Sequence, residues 1–139
     1  MIRMKLDEYK SLHVDRPPKY RNRRTERALA NGRKLKFASQ KEAVRYDELA
    51  LMLEAGEIRS LRIHPEYTLT EAYTTPEGER VGRSWYAADF EYWVIDAADP
   101  LRARRVVEDC KGGEATKTQA YRLKRKLMLD IHGISVREV

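Results

Sequence analysis

The sequence predicts an α/β domain built in the order helix, three strands, second helix, last short strand. Three observations carry that expectation. An amphipathic segment with start and stop residues fills 39–55; a run rich in aromatic and β-branched types spans 84–110 around the turn Ala98-Asp99-Pro100; and a second helical period follows Gly112-Gly113. A chain of 139 residues can bury one core of its own. Its 42% hydrophobic content and two Trp argue against a disordered chain.

Taken in order, residues 1–15 show no clear period. From Arg16 to Lys36 the chain is dominated by Lys and Arg, broken by Pro17-Pro18 and Asn31-Gly32, with too few apolar residues to fold alone. Residues 1–40 hold 12 Lys and Arg against 4 Asp and Glu; with 28 and 22 in the whole chain, the remainder holds 16 against 18. This divides the chain into a basic arm, 1–36, and a folded domain, 37–139. The arm reads either as a solvated run or as a segment that contacts phosphates, and the two are compatible. A basic arm on a nearly neutral body points to a polyanion, nucleic acid first, with Lys19, Arg21, Arg23 and Arg24 as its contacts.

Ser39 begins the first helix as its N-cap and Gly56 ends it, with Tyr46, Leu49, Ala50 and Leu53 as the apolar stripe. Ser39-x-x-Glu42 is a capping box, yet Glu42 also stacks over the face that turns toward the sheet. Both roles stay open. Ile58 to Leu69 reads as an edge strand bent at His64-Pro65, because Pro lacks a ladder donor. Pro76-Glu77-Gly78 marks a turn. The second helix is expected over 116–130, burying Ala120, Leu123, Leu127 and Ile131; Lys117, Tyr121 and Lys124 form an adjacent stripe that reads either as a solvated basic face with Tyr121 packing at its edge or as one that approaches a bound phosphate. Residues 134–139 alternate as a final strand.

The chemistry concentrates in the central hairpin. Folded about Asp99, it sets Asp89 opposite Asp109, each ten residues from the pivot, and Asp109 shares its face with Lys111. Opposed carboxylates repel, so a positive group belongs between them, either a divalent cation or Lys111. Glu108 points the other way in a regular strand, and a slip of one residue would turn Asp89 over as well. In a chain with 36% charged residues, Asp-x-Lys alone also arises as solvated strand ends. A single cysteine, Cys110, excludes an internal disulfide and reads as a packed thiol. His13, His64 and His132 are scattered without metal-ligand spacing and read as structural or exposed. No apolar run reaches membrane-spanning length and the first ten residues lack a signal-peptide stretch, so a cytoplasmic protein is expected, with no membrane partner.

The order of elements, with Glu42, Asp89, Asp109 and Lys111 on the first helix and the second and third strands, resembles the PD-(D/E)XK nuclease superfamily and its restriction-endonuclease-like αβββαβ core. The segments 19–25, 36–58, 88–90 and 106–112 are similar to small phage and prophage endonuclease-like proteins, to phage junction-resolving endonucleases and to the nuclease subunit of some transposases. The resemblance implies a divalent-metal-dependent DNA endonuclease of a phage or prophage in a bacterial host. In it Asp89, Asp109 and the Cys110 carbonyl bind Mg²⁺, or Mn²⁺ as substitute. Glu42 would hold a second ion or an ion-bound water, and Lys111 would orient the attacking water. Branched DNA or a Holliday junction is a candidate substrate, and cutting two strands would call for a homodimer. No small-molecule cofactor is implied. The alternatives are a non-catalytic nucleic-acid-binding module and a subunit of a phage recombination or packaging complex. Ala88 stands where Pro is frequent in the superfamily, and His64-Pro65 where Gln-Pro is expected.

Overall fold

A computed structural model describes residues 25–139. The predicted arm contacts Lys19, Arg21, Arg23 and Arg24 lie outside the described residues. Contacts divide the chain into two units, 1–44 and 45–139. The boundary falls within the residues of helix α1 (Gln40–Glu54).

In the first unit, β1 (Thr25–Ala28) and β2 (Lys34–Phe37) form an antiparallel hairpin with Thr25 opposite Phe37. The reversal needs Gly32, whose φ of 82° lies in the left-handed region that glycine enters without steric cost. Residues 25–36, expected in the arm, are thus in ordered structure, closed by bonds such as Leu29 N–H to the Arg33 carbonyl at 2.7 Å. Backbone pairing does here what apolar content could not. Ser39 caps α1, its Oγ accepting from Glu42 N–H at 3.2 Å. The return bond reaches one residue further back than a capping box requires: Glu42 Oε2 accepts from Ala38 N–H at 3.4 Å.

The second unit is mixed α/β, a mixed sheet with two helices. Leu49 of α1 is fully buried, Tyr46 and Ala50 are half-buried, and Leu53, expected in the stripe, is 43% exposed. Gly56, at φ 74°, ends the helix: its N–H bonds the Leu53 carbonyl and Glu57 N–H bonds that of Met52. These are the two bonds of a Schellman motif. The main sheet places β3 (Ile58–Ile63), β8 (Phe90–Ile95), β9 (Ala103–Asp109) and β10 (Arg137–Glu138) side by side in that order. The first two pairings are antiparallel and the last is parallel. As expected, β3 lies at the edge. Between β3 and β8 the chain leaves the sheet as a ribbon, β4 (Glu66–Thr70) and β5 (Tyr73–Thr74) returning as β6 (Arg80–Val81) and β7 (Ser84–Ala87). The turn at its tip holds Gly78 at φ 88°.

Helix α2 (Gln119–His132) begins later than expected, after a 3-10 turn at Glu114–Thr116, and is capped by Thr118, whose Oγ1 accepts from Tyr121 N–H at 3.1 Å. Its buried stripe is also displaced. Tyr121 and Met128 are buried and Leu127 is partly so, whereas Ala120 is exposed, Leu123 is 58% exposed and Ile131 48%. The cause is the packing partner: α2 lies on β4 and β7, and a shift of one residue turns a helix by about 100°. Tyr67, Tyr86, Val107 and Val136 complete that core. Among the described residues no helix is long and apolar enough to cross a membrane.

Candidate active site

The run 84–95, expected as one strand, is divided at Ala88-Asp89. Ile63 pairs with Phe90 and Glu66 with Ala87, so β3–β4 and β7–β8 form one long antiparallel ribbon bent where His64-Pro65 faces Ala88-Asp89. Two bonds hold the bend: His64 N–H to the Asp89 carbonyl at 2.9 Å, and Ala88 N–H to that of Pro65 at 3.1 Å. His64 turns the chain there with φ 51°, a left-handed conformation unusual for a side chain of its size. On its other side Asp89 donates its N–H to the Glu108 carbonyl at 3.1 Å. Phe90 pairs with Glu108 and Ile95 with Ala103, the register that folding about Asp99 predicts, so Asp89 stands level with Asp109. The site is built around that one aspartate.

Two groups of side chains meet at Asp89. The first is a trio: carboxylate oxygens of Glu42 and Asp89 and a ring nitrogen of His64 lie within 4.8 Å of one another. Glu42 is buried, Asp89 half-buried and His64 exposed. Two carboxylate oxygens and an imidazole at that spacing are a donor set suited to a divalent cation. The second group is joined to the first by a 2.6 Å bond from Cys110 N–H to Asp89 Oδ2. Asp109, 5% exposed, accepts from the Tyr86 hydroxyl at 2.5 Å and pairs through Oδ1 with Lys111 Nζ at 2.9 Å. That ammonium also stands 4.0 Å from the centre of the Tyr121 ring. Burial first, and then the bond to Asp109, raise the Tyr86 hydroxyl far above the usual phenol range, so it stays a proton donor at any ordinary pH. Burial likewise pushes Tyr121 up to about 12.

The expected single pocket of Glu42, Asp89, Asp109 and Lys111 is therefore arranged as two adjoining groups. Among the described residues, the three whose ligand atoms lie within 4.8 Å of one another are Glu42, His64 and Asp89, a group that does not include Asp109. His64 is exposed, one of the two outcomes expected for it; spacing along the chain says nothing of its place beside Asp89, which ribbon pairing creates. The usable signal was His64-Pro65 at a strand bend.

A protein-family model described as "Protein of unknown function (DUF1064)" matches residues 18–137. The chain belongs to that family. No curated protein and no solved structure matches it.

The remaining candidates of this DUF1064 chain fall around the site as follows. Glu108 does point away from Asp109, as expected. It is wholly buried and takes both Arg45 Nε at 2.9 Å and Arg45 Nη2 at 2.6 Å, with the Tyr92 hydroxyl on the same carboxylate. This pair fastens α1 to the sheet, one helical turn beyond Glu42. Lys117 precedes α2 instead of lying on it, and is paired with Glu114 and Glu138, each at 2.9 Å. Tyr121 is buried beneath Lys111, and Lys124 is exposed on α2. The three do not form one phosphate-facing stripe. The Cys110 thiol is half-buried just past the end of β9.

Proposed function

We propose that this chain is a divalent-metal-dependent nuclease that hydrolyses phosphodiester bonds in DNA, built on a PD-(D/E)XK-like core. One observation carries the reading above the others: the Cys110 N–H to Asp89 Oδ2 bond, which joins the lone aspartate of one strand to the Asp-x-Lys end of its neighbour. Surface ion pairs scattered by chance have no reason to be tied in this way. The order α1, β3, β8, β9, α2, β10 also agrees with the expected core once the β4–β7 ribbon is set aside.

Glu42, His64 and Asp89 are the residues that would hold the ion. A bound divalent cation supplies Lewis-acid polarisation of a phosphate oxygen and makes water more acidic. Lys111 provides a second positive charge, placed by Asp109 and by the Tyr121 ring, and would orient the attacking water or neutralise charge developing on the phosphoryl group. Asp109 acts by holding Lys111, and the Tyr86 hydroxyl fixes Asp109 in turn. Basic residues of the arm would contact phosphates and position the strand without reading its bases.

The test is a cleavage panel of duplex, single strand, flap and four-way junction with Mg²⁺, Mn²⁺ or EDTA. Metal-dependent cutting that drops at least about a hundredfold in Lys111→Met, with an unchanged circular dichroism spectrum, is the expected result. Salt-sensitive binding with no cleavage of any substrate under any ion would instead identify a binding module.

A further inference from the structure

We infer that His64 is a ligand of the bound cation and sets its preference for a first-row transition ion such as Mn²⁺ over Mg²⁺. The inference deepens the nuclease reading and rests on the same site. His64 and Asp89 face each other across the ribbon bend, tied by the 2.9 Å backbone bond, and their ligand atoms lie within the 4.8 Å spacing of the trio. The neighbouring charges are divided unequally between the two groups. Asp109 is held by Lys111 and Tyr86, whereas the imidazole lies with the Glu42 and Asp89 carboxylates in the group of three.

Ligand chemistry supplies the selectivity. Mg²⁺ favours an all-oxygen octahedron and gives up water reluctantly, so an imidazole adds little to its binding. First-row transition ions accept imidazole nitrogen readily while tolerating carboxylates. A site of two carboxylates and one imidazole therefore raises affinity for the second class without removing the first.

The experiment uses the full chain without a histidine tag and reads ion binding apart from cleavage. Mn²⁺ and Mg²⁺ affinities are measured by titration calorimetry, and nitrogen ligation by pulsed electron paramagnetic resonance of the Mn²⁺-loaded protein. His64→Asn is the informative variant, because Asn tolerates a left-handed backbone. Wild type should show a directly bonded ¹⁴N coupling that changes to the ¹⁵N pattern when histidine is ¹⁵N-labelled, a readout that needs no variant. His64→Asn should lose that coupling and at least about tenfold in Mn²⁺ affinity, the lower end of what losing even an outer partner of a metal ligand costs. Its Mg²⁺ affinity should change far less. A nitrogen coupling that persists in His64→Asn, or Mn²⁺ bound by wild type with no nitrogen coupling, overturns the inference even if the protein cuts DNA. Nitrogen-ligated Mn²⁺ that is lost with His64, in a protein that cleaves nothing, supports the inference and removes the nuclease reading.

Discussion

At the scale of single residues, the carboxylates around the strand ends are sorted by the partner each one faces. Glu108 is enclosed and satisfied by Arg45, whose guanidinium is held strongly protonated, chiefly by its hydrogen bond to Glu108. Asp109 faces Lys111, and Asp89 faces the Cys110 amide. The structural and the candidate catalytic acids thus stand side by side in the chain and point to different partners. Arg45→Ala should strand the Glu108 charge and lower stability by about 3–5 kcal/mol, measured by urea denaturation. A loss under 1 kcal/mol would mean that water reaches Glu108. Neighbouring positions 108 and 109 were separable in advance, since strand side chains alternate. Their partners were not, because Arg45 lies 63 residues from Glu108.

At the scale of elements, turns and caps decide where each functional side chain stands. Gly56 closes α1 in a left-handed conformation, and a Cβ there would meet nothing within 4 Å. The expected loss for Gly56→Ala is therefore backbone strain alone, about 1–2 kcal/mol in a denaturation experiment. Gly56→Asn should recover part of it, since Asn enters that region more readily. A loss equal in both variants would point to some cause other than φ. The ribbon bend at His64 acts by the same kind of local geometry with the opposite emphasis: a non-glycine residue occupies the left-handed region, and a candidate ligand results. Ser39, Glu42 and Gly56 announced α1 correctly because caps are local chemistry. The stripe of α2 did not emerge the same way. Apolar residues at 120, 123, 127 and 131 satisfy the helical period as well as Tyr121 and Met128 do, and only the β4–β7 ribbon selects between them.

At the scale of the whole molecule, charge is distributed unevenly: a net of +8 over residues 1–40 against −2 over the rest, from 12 and 16 basic and 4 and 18 acidic residues. If the proposed DNA contact runs through the arm, replacing Lys19, Arg21, Arg23 and Arg24 together by Ala should weaken binding to all sequences alike. The slope of log affinity against log salt should fall by up to about 3–4, roughly 0.9 for each phosphate contact removed. Fluorescence anisotropy across a salt series measures it. An unchanged slope would assign the phosphate contacts to other surfaces, such as the exposed basic residues Lys124 and Lys126 of α2.

Pattern along the chain was enough to settle the α/β class, the α1 caps, the pairing of β8 with β9 and the level placing of Asp89 and Asp109, because each depends on local stereochemistry or on one short reversal. It could not reveal that the stretches 58–70 and 84–95 pair as a single bent ribbon, from Ile58 with Val94 at one end to Thr70 with Ser84 at the other. That pairing broke the expected strand, displaced the face of α2 and brought His64 to Asp89. Long-range contacts of this kind are chosen by the free energy of the assembled core, which no window of sequence contains.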